Sequence, residues 1–189
     1  MPSERDPFRR SQPSDDETLW TFYNLLRHRP KVIIVLRSLK EWTQGGPGYR
    51  EREKETACAM AVAGVEWEQW PFLDVDPDWP DIADEIRTAV QDYDMVIGPA
   101  WELGGHEHHN EVASLLKKLL GEAHEGGPRY IAYTSYVRGS GRTDTGTEVV
   151  PTADERMLKD VALSCYKSQA AFPPTAVWFD PADQREWVL

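Results

Sequence analysis

Three of the five histidines in this 189-residue chain fall within four positions, in Gly105-His106-Glu107-His108-His109-Asn110. Far upstream, three consecutive acids, Asp15-Asp16-Glu17, follow Gln12-Pro13-Ser14. Imidazole is the commonest protein ligand for zinc and titrates near neutrality, so one histidine can bind a metal while another moves a proton or meets negative charge. His106 and His109 stand three apart and can face one way at the opening of a helix, whereas His108 points elsewhere. Each cluster also has a plainer reading. Paired aspartates at a helix start accept hydrogen bonds from the free N–H groups there, and a histidine-rich loop can simply be solvated. Taken together they suggest a catalytic metal site of mixed carboxylate and imidazole ligands, the composition used where an open position holds water.

The elements that must position these residues alternate along the chain. Leu19, Phe22, Leu25 and Leu26 recur at helical spacing and stop at Pro30. Lys31 to Leu36 is a short β-branched run and reads as a buried strand. After the turn cluster Gly45-Gly46-Pro47-Gly48, a charged helix is predicted from Arg50 to Ala63, then a strand from Trp67 to Phe72 and a helix from Trp79 to Val90. Met95 to Ile97 is a further strand, Glu107 to Leu120 a helix, Tyr130 to Tyr136 a strand and Thr152 to Tyr166 a helix. Strands separated by helices of this length imply parallel crossovers. The expected fold is one α/β domain, Rossmann-like, with a mainly parallel sheet covered by helices on both faces. Ligands bind such sheets at the carboxyl ends of strands, which puts loops 12–17, 38–50 and 99–109 on one rim. Residues 1–14 are polar and form an arm ahead of the domain that runs from residue 15 to 189.

The net charge of -11 repels a phosphate backbone and argues against nucleic-acid binding by counterion release. No apolar stretch approaches the ~20 residues that span a bilayer, and the opening residues lack the apolar region of a secretory signal, so a cytoplasmic location is expected. Cys58 and Cys165 lie far apart, outside any CxxC pattern, and read as small buried side chains rather than as a disulfide or a zinc knuckle. Of the eight tryptophans, Trp67, Trp70, Trp79 and Trp101 are candidates for stacking on a sugar or other ring, against the simpler expectation that most fill core volume.

From Asp15 onward the chain resembles the PIG-L (LmbE-like) family of zinc-dependent N-deacetylases. Asp15-Asp16-Glu17-Thr18-Leu19 matches the end of that family's AHPDDE motif, and Gly105-His106-Glu107-His108-His109 matches its GHxDH motif with His108 in place of the aspartate. The stretch from Arg52-Glu53-Lys54-Glu55 to Ala63-Gly64-Val65, the segment Trp70-Pro71-Phe72-Leu73-Asp74, Ile86-Arg87 before Asp94-Met95-Val96-Ile97, and Lys159 with Tyr166-Lys167-Ser168-Gln169 are similar to further family segments in the same order. The resemblance implies Asp16 and His109 as ligands of Zn2+ or another divalent ion, and Asp15 as the general base. It implies His106 as the group that stabilises the oxyanion or assists departure of the amine. The implied partner is a small acylated amine, typically an N-acetylglucosamine conjugate, which would lose acetate.

The departure from the family pattern is at the first histidine ligand. Aligning the aspartates puts Pro13 there; treating Ser14 as an insertion aligns Gln12-Pro13 with the family's His-Pro and offers the neutral oxygen of Gln12. Gln12, His108 and His124 are the alternatives for completing the shell, His124 being more simply part of a helix-ending turn. A catalytically silent chain that binds a sugar, a nucleotide-sugar or a protein partner is the competing reading. Arg50, Arg52 and Arg142 are candidates for an anionic part of a substrate, with surface ion pairing as the alternative. The tail after Gln169, carrying Phe172, Val177, Trp178, Phe179 and Trp187, is too apolar for a free linker and is expected to pack back on the domain.

Overall fold

The computed structural model describes residues 19–37, 39, 48–121, 127–135, 146–171, 179 and 185–189. Gln12, Asp15, Asp16, His124, Arg142 and Trp178 lie outside the described residues. Helix α1 (Phe22–His28) leads into strand β1 (Val32–Arg37), α2 (Tyr49–Ala63) into β2 (Trp67–Leu73), α3 (Trp79–Val90) into β3 (Met95–Pro99) and α4 (Glu107–Gly121) into β4 (Arg129–Tyr133). The chain then runs through β5 (Thr147–Glu148), α5 (Ala153–Leu163), α6 (Lys167–Ala171) and β6 (Trp187–Val188).

These boundaries follow from local chemistry. The N–H of Arg29, in the left-handed conformation at φ 47°, closes α1 on the carbonyl of Leu25 ahead of Pro30. Gly64 ends α2 at φ 67°, a conformation that costs glycine nothing. Asp78 caps α3, and Thr152 with Glu155 forms a reciprocal capping box on α5.

Strands β1 and β2 pair in parallel, Val32 opposite Trp67 and Arg37 opposite Leu73, with an irregularity between Ile34 and Leu36. Strands β3 and β4 also pair in parallel, from Met95 opposite Arg129 to Pro99 opposite Tyr133. Strand β6 runs antiparallel between β4 and β5. The result is a mixed helix and sheet domain in which the described strands form a two-stranded sheet, β1-β2, and a four-stranded sheet, β3-β4-β6-β5. One continuous, mainly parallel sheet was expected; among the described residues β1 and β3 are not hydrogen-bonded to each other, and the chain end contributes antiparallel pairing.

Strand β1 is packed on both sides, as its unbroken apolar run requires. Val32 and Ile34 join Phe22, Leu25, Ala59, Met60, Ala162 and Tyr166 in one cluster, which gathers α1, α2 and α5. Leu36, with Val35 against it, belongs to a second cluster with Ile82, Ile86 and Leu116, which gathers α3 and α4.

The tail does return to the domain: Glu186 is buried and the N–H of Thr134 donates to the carbonyl of Trp187 at 3.1 Å. Cys58 and Cys165, by contrast, are joined in a disulfide between Cα atoms 5.8 Å apart. Cys58 is exposed on α2, not buried, and the turn after α5 brings Cys165 beside it. A separation of 107 residues leaves no local spacing signal for the pair. Disulfides persist in oxidising surroundings, which sets this bond against the cytoplasmic location expected from the sequence. No helix among the described residues is long and apolar enough to cross a membrane.

Candidate functional site

The histidine cluster sits where β3 gives way to α4. The backbone continues β3 by one further bond, from the N–H of Ala100 to the carbonyl of Tyr133 at 2.7 Å, and then turns through residues 101–106. From Ala100 to Leu103 burial alternates: Ala100 and Glu102 are buried, while Trp101 and Leu103 are 56% and 66% exposed. Glu102 holds it from both directions. Its carboxylate accepts from the N–H and the hydroxyl of Ser135, at 3.0 and 2.8 Å, across at the end of β4. Its own backbone N–H donates to Oδ1 of Asn110 at 2.8 Å, and its carbonyl accepts from Nδ2 of Asn110 at 2.9 Å. Gly105 fits beneath because a Cβ there would lie 3.0 Å from the Glu102 carbonyl oxygen.

His106 is therefore delivered to the first residue ahead of α4, where its side chain serves as the helix cap: Nδ1 accepts the backbone N–H of His108 at 3.1 Å. With Nδ1 occupied as an acceptor, the neutral ring carries its proton on Nε2 and presents it as a donor. The His106 and His109 rings stand 5.9 Å apart between centroids, at 82°. His108 does not point away as its spacing suggested. It is buried, with its ring 4.8 Å from that of His106 and 5.8 Å from the indole of Trp79. The first turn of a helix also brings the positive end of its dipole to this cluster.

The neighbouring rim is tied together by Asp74, which is buried after β2. Its N–H donates to the carbonyl of Arg37, and its Oδ1 accepts the N–H of Leu39 at 2.8 Å, so the segments following β1 and β2 are held side by side. Asp74, Asp76, Trp79, Glu107, His108 and Glu111 line a hollow of about 350 Å³. Its wall is acidic on several sides and aromatic on one.

Of the three arginines expected to meet an anionic substrate, Arg142 lies outside the described residues and Arg50 is exposed at the start of α2, with its guanidinium 5.9 Å from the Tyr49 ring. Arg52 is 1% exposed and donates to Oε1 of Gln169 at 3.0 Å. Beside it, Glu55 accepts the N–H and hydroxyl of Ser168 at 2.7 and 2.6 Å. The structure thus spends the Arg52 side chain on joining α2 to α6, inside the protein.

Zinc has the right chemistry for two imidazoles, but it needs at least one further donor. Among the described residues no three His, Cys, Asp or Glu side chains are grouped to hold a metal ion. His106 and His109 supply imidazoles, and the carboxylates of Asp15 and Asp16 with the amide of Gln12 lie outside the described residues. Sequence reasoning missed Glu102, Ser135 and Asn110 as the clamp on the loop. Asn110 lies inside the histidine motif, and the only trace of Glu102 is an acid set between two large apolar residues.

No protein-family model matches the sequence, and no curated protein matches it. Several solved structures share its fold. A triple mutant of a deacetylase involved in teicoplanin biosynthesis superposes with a TM-score of 0.70 at 18% identity, covering 89% of this chain and 85% of that one. The same enzyme, teicoplanin deacetylase Orf2, is matched in a zinc-inhibited form at 0.68. The N,N'-diacetylchitobiose deacetylase of Pyrococcus horikoshii matches at 0.62 and 16% identity over 88% of this chain and 70% of that one. The 4-carboxy-2-hydroxymuconate hydratase GalB of Pseudomonas putida matches at 0.61 and 16% identity over 91% and 81%. The chain has the fold of the LmbE/PIG-L type deacetylases, the fold its motifs implied.

Proposed function

We propose that this chain is a metal-dependent hydrolase that removes an acetyl or other acyl group from an N-acylated amino sugar or a related amine. The observation that carries this reading is the clamped pair His106 and His109 at the opening of α4, on a fold shared with deacetylases. His109 with Asp16 and Gln12 would hold Zn2+ or another divalent ion. Such an ion lowers the pKa of a bound water towards ~7 and so supplies a nucleophile at neutral pH.

The chain's own residues would do the rest. Asp15 takes the proton of the attacking water, and the Nε2–H of His106 donates to the oxygen that gains negative charge, or to the departing amine. The acidic hollow beside His108 favours a polyhydroxylated or amine-bearing substrate over an anionic one. Carboxylates there can accept hydrogen bonds from sugar hydroxyls while Trp79 offers a ring face. Among the described candidates Arg50 is in a position to meet an outlying anionic group, whereas Arg52 is buried within the fold. The parallel pairs β1-β2 and β3-β4, with helices between their strands, support a Rossmann-like plan for the whole.

The test is acetate release from N-acetylglucosamine conjugates, with metal content read by elemental mass spectrometry on protein purified without chelator. Wild-type protein is expected to hold zinc and turn over; His106→Ala to keep zinc and lose turnover; Asp16→Ala to lose both. Undiminished turnover in both variants would refute the assignment. A second reading, a catalytically silent chain that binds a sugar, a nucleotide-sugar or a protein, draws on Pro13 standing where the family's first histidine ligand belongs. Zinc-free protein that still binds an amino sugar without cleaving it would establish that reading instead.

A further inference from the structure

Two loops on the rim repeat one arrangement. After β2, Asp74 is buried between Leu73 and Val75, which are 41% and 49% exposed; after β3, Glu102 is buried between Trp101 and Leu103, which are more exposed still. Each acid ties its loop to the neighbouring strand, at the N–H two residues past that strand's end. Asp74 accepts from Leu39 beyond β1, and Glu102 accepts from Ser135 beyond β4. Neighbouring side chains of an extended segment point opposite ways, so an acid held inward holds the residues beside it outward. Buried hydrogen bonds thus fix four apolar side chains in water.

An exposed apolar residue standing alone is ordinary, but an indole and a leucine held out on the same side of one tied loop mark a contact surface. Their place on the chain says what they meet. Leu103 is three residues ahead of His106, and Val75 lines the hollow with Glu107 and His108. The His106 and His108 rings are 4.8 Å apart, so the histidines link the apolar loop to the hollow. The carboxylates around that hollow, Asp76, Glu107 and Glu111, are exposed and repel a ligand that arrives with a phosphate or carboxylate. A neutral sugar or an amine is not turned away.

We propose that Trp101 and Leu103, with Val75, form an apolar subsite for a hydrocarbon or aromatic substituent of the substrate, so that the preferred acyl amine is amphiphilic and carries no anionic group. This rests on the hydrolase reading for the bond that is cut, and on the rim alone for the tail. Because both loops are already tied, docking the tail orders no further backbone, a cost that flexible loops would charge against affinity.

The probes are methyl, butyl and hexyl N-acetylglucosaminides, with a 6-sulfated hexyl glycoside as the anionic control, on full-length protein. Calorimetry reads binding, and acetate release is followed separately. Each methylene that leaves water tightens binding by up to about fourfold, so on an open rim the hexyl glycoside is expected to bind about tenfold or more tighter than the methyl one. The sulfate should weaken the hexyl glycoside by about tenfold at low salt. In Trp101→Ala/Leu103→Ala the hexyl-to-methyl ratio should fall towards one, with the melting temperature held, since both side chains are exposed. A hexyl glycoside that binds no better than the methyl one, or a ratio that survives the double variant, would overturn the subsite. Chain-length-dependent binding without acetate release would uphold the subsite and count against the hydrolase; acetate release with no chain-length effect would do the reverse. Self-association of the wild type that the double variant abolishes, read by sedimentation, would give these residues to a second copy and overturn the proposal.

Discussion

Lys159 and Glu186 meet at 2.6 Å with side chains 1% and 0% exposed, the one on α5 and the other just ahead of β6. The ammonium also donates to the carbonyl of Leu19 at 2.8 Å and lies 4.7 Å from the centre of the Tyr23 ring, while the N–H of Tyr23 donates to the Glu186 carboxylate. Burial holds the Glu186 carboxyl above its ordinary value, with Lys159 and the backbone N–H groups around it opposing that rise without cancelling it. Burial together with the Glu186 charge raises the Tyr23 phenol to about 12. One ion pair thus fastens three parts of the chain: its first described residues, the last long helix and the tail.

Removing one partner leaves a charge buried without compensation. Lys159→Met is expected to destabilise the protein by about 3–5 kcal/mol, and the double variant Lys159→Met/Glu186→Leu by much less. Urea unfolding of the three proteins checks this; a double variant as unstable as the single one would show that packing, not charge, sets the cost.

Arg27 donates to both oxygens of Glu155 at 2.7 and 2.9 Å, and that bond, with the Thr152 N–H, lowers the Glu155 carboxyl to about 2. A carboxyl whose folded pKa is depressed adds stability above its unfolded value, near 4.5, and loses it as pH falls through the folded one. Glu155→Gln keeps the capping geometry and loses the charge. At pH 7 it should cost up to about 1 kcal/mol, since Arg27 is half open to water. That difference should shrink between pH 4.5 and about 2. A gap between variant and wild type that stays constant over this window would rule out the charge as its origin.

At Gly98 an added Cβ would lie 2.5 Å from Cδ1 of Leu116 and 3.3 Å from Cε2 of Tyr130. Gly98→Ala should therefore push α4 away from β3 and destabilise by about 1–3 kcal/mol. Because α4 carries the histidines, turnover of the proposed substrate should fall by more than the loss of folded protein explains. Kinetics corrected for the folded fraction measure the difference.

The loop clamp makes a separate prediction. Glu102→Ala strips the N–H and hydroxyl of Ser135 of their shared acceptor, untying the loop from the end of β4, and should lower kcat by about tenfold or more, with KM nearly unchanged, through loss of His106 placement. Trp79→Ala should instead raise KM, because the indole walls the hollow beside His108. A reversed pattern in the two variants would redraw the site.

What could be read from the sequence was what local patterns encode. Val32 to Val35 is an uninterrupted β-branched run and, with Leu36 and Arg37, forms β1; the tight spacing of His106, His108 and His109 marked the candidate site, where the three rings lie together. Strand β6, two residues long, has no periodicity of its own and exists because Trp187 and Val188 find edges on β4 and β5. Arg52 looked like a surface anion binder because nothing nearby in sequence reveals Gln169 as its partner. His108 was read from helical spacing alone, which does not reveal that Trp79, at the start of α3, packs against its ring.

The Cys58–Cys165 bond gives the chain a topology as well as a brace. It closes a covalent ring of the polypeptide from Cys58 to Cys165, and His106 and His109 lie on that ring while Asp15 and Asp16 lie on the strand of chain leading into it. A protease that cuts once anywhere inside the ring releases nothing until the bond is reduced. A cut between Asp16 and Cys58 separates the carboxylates from the imidazoles outright, leaving only non-covalent packing to keep the two halves of the candidate site together.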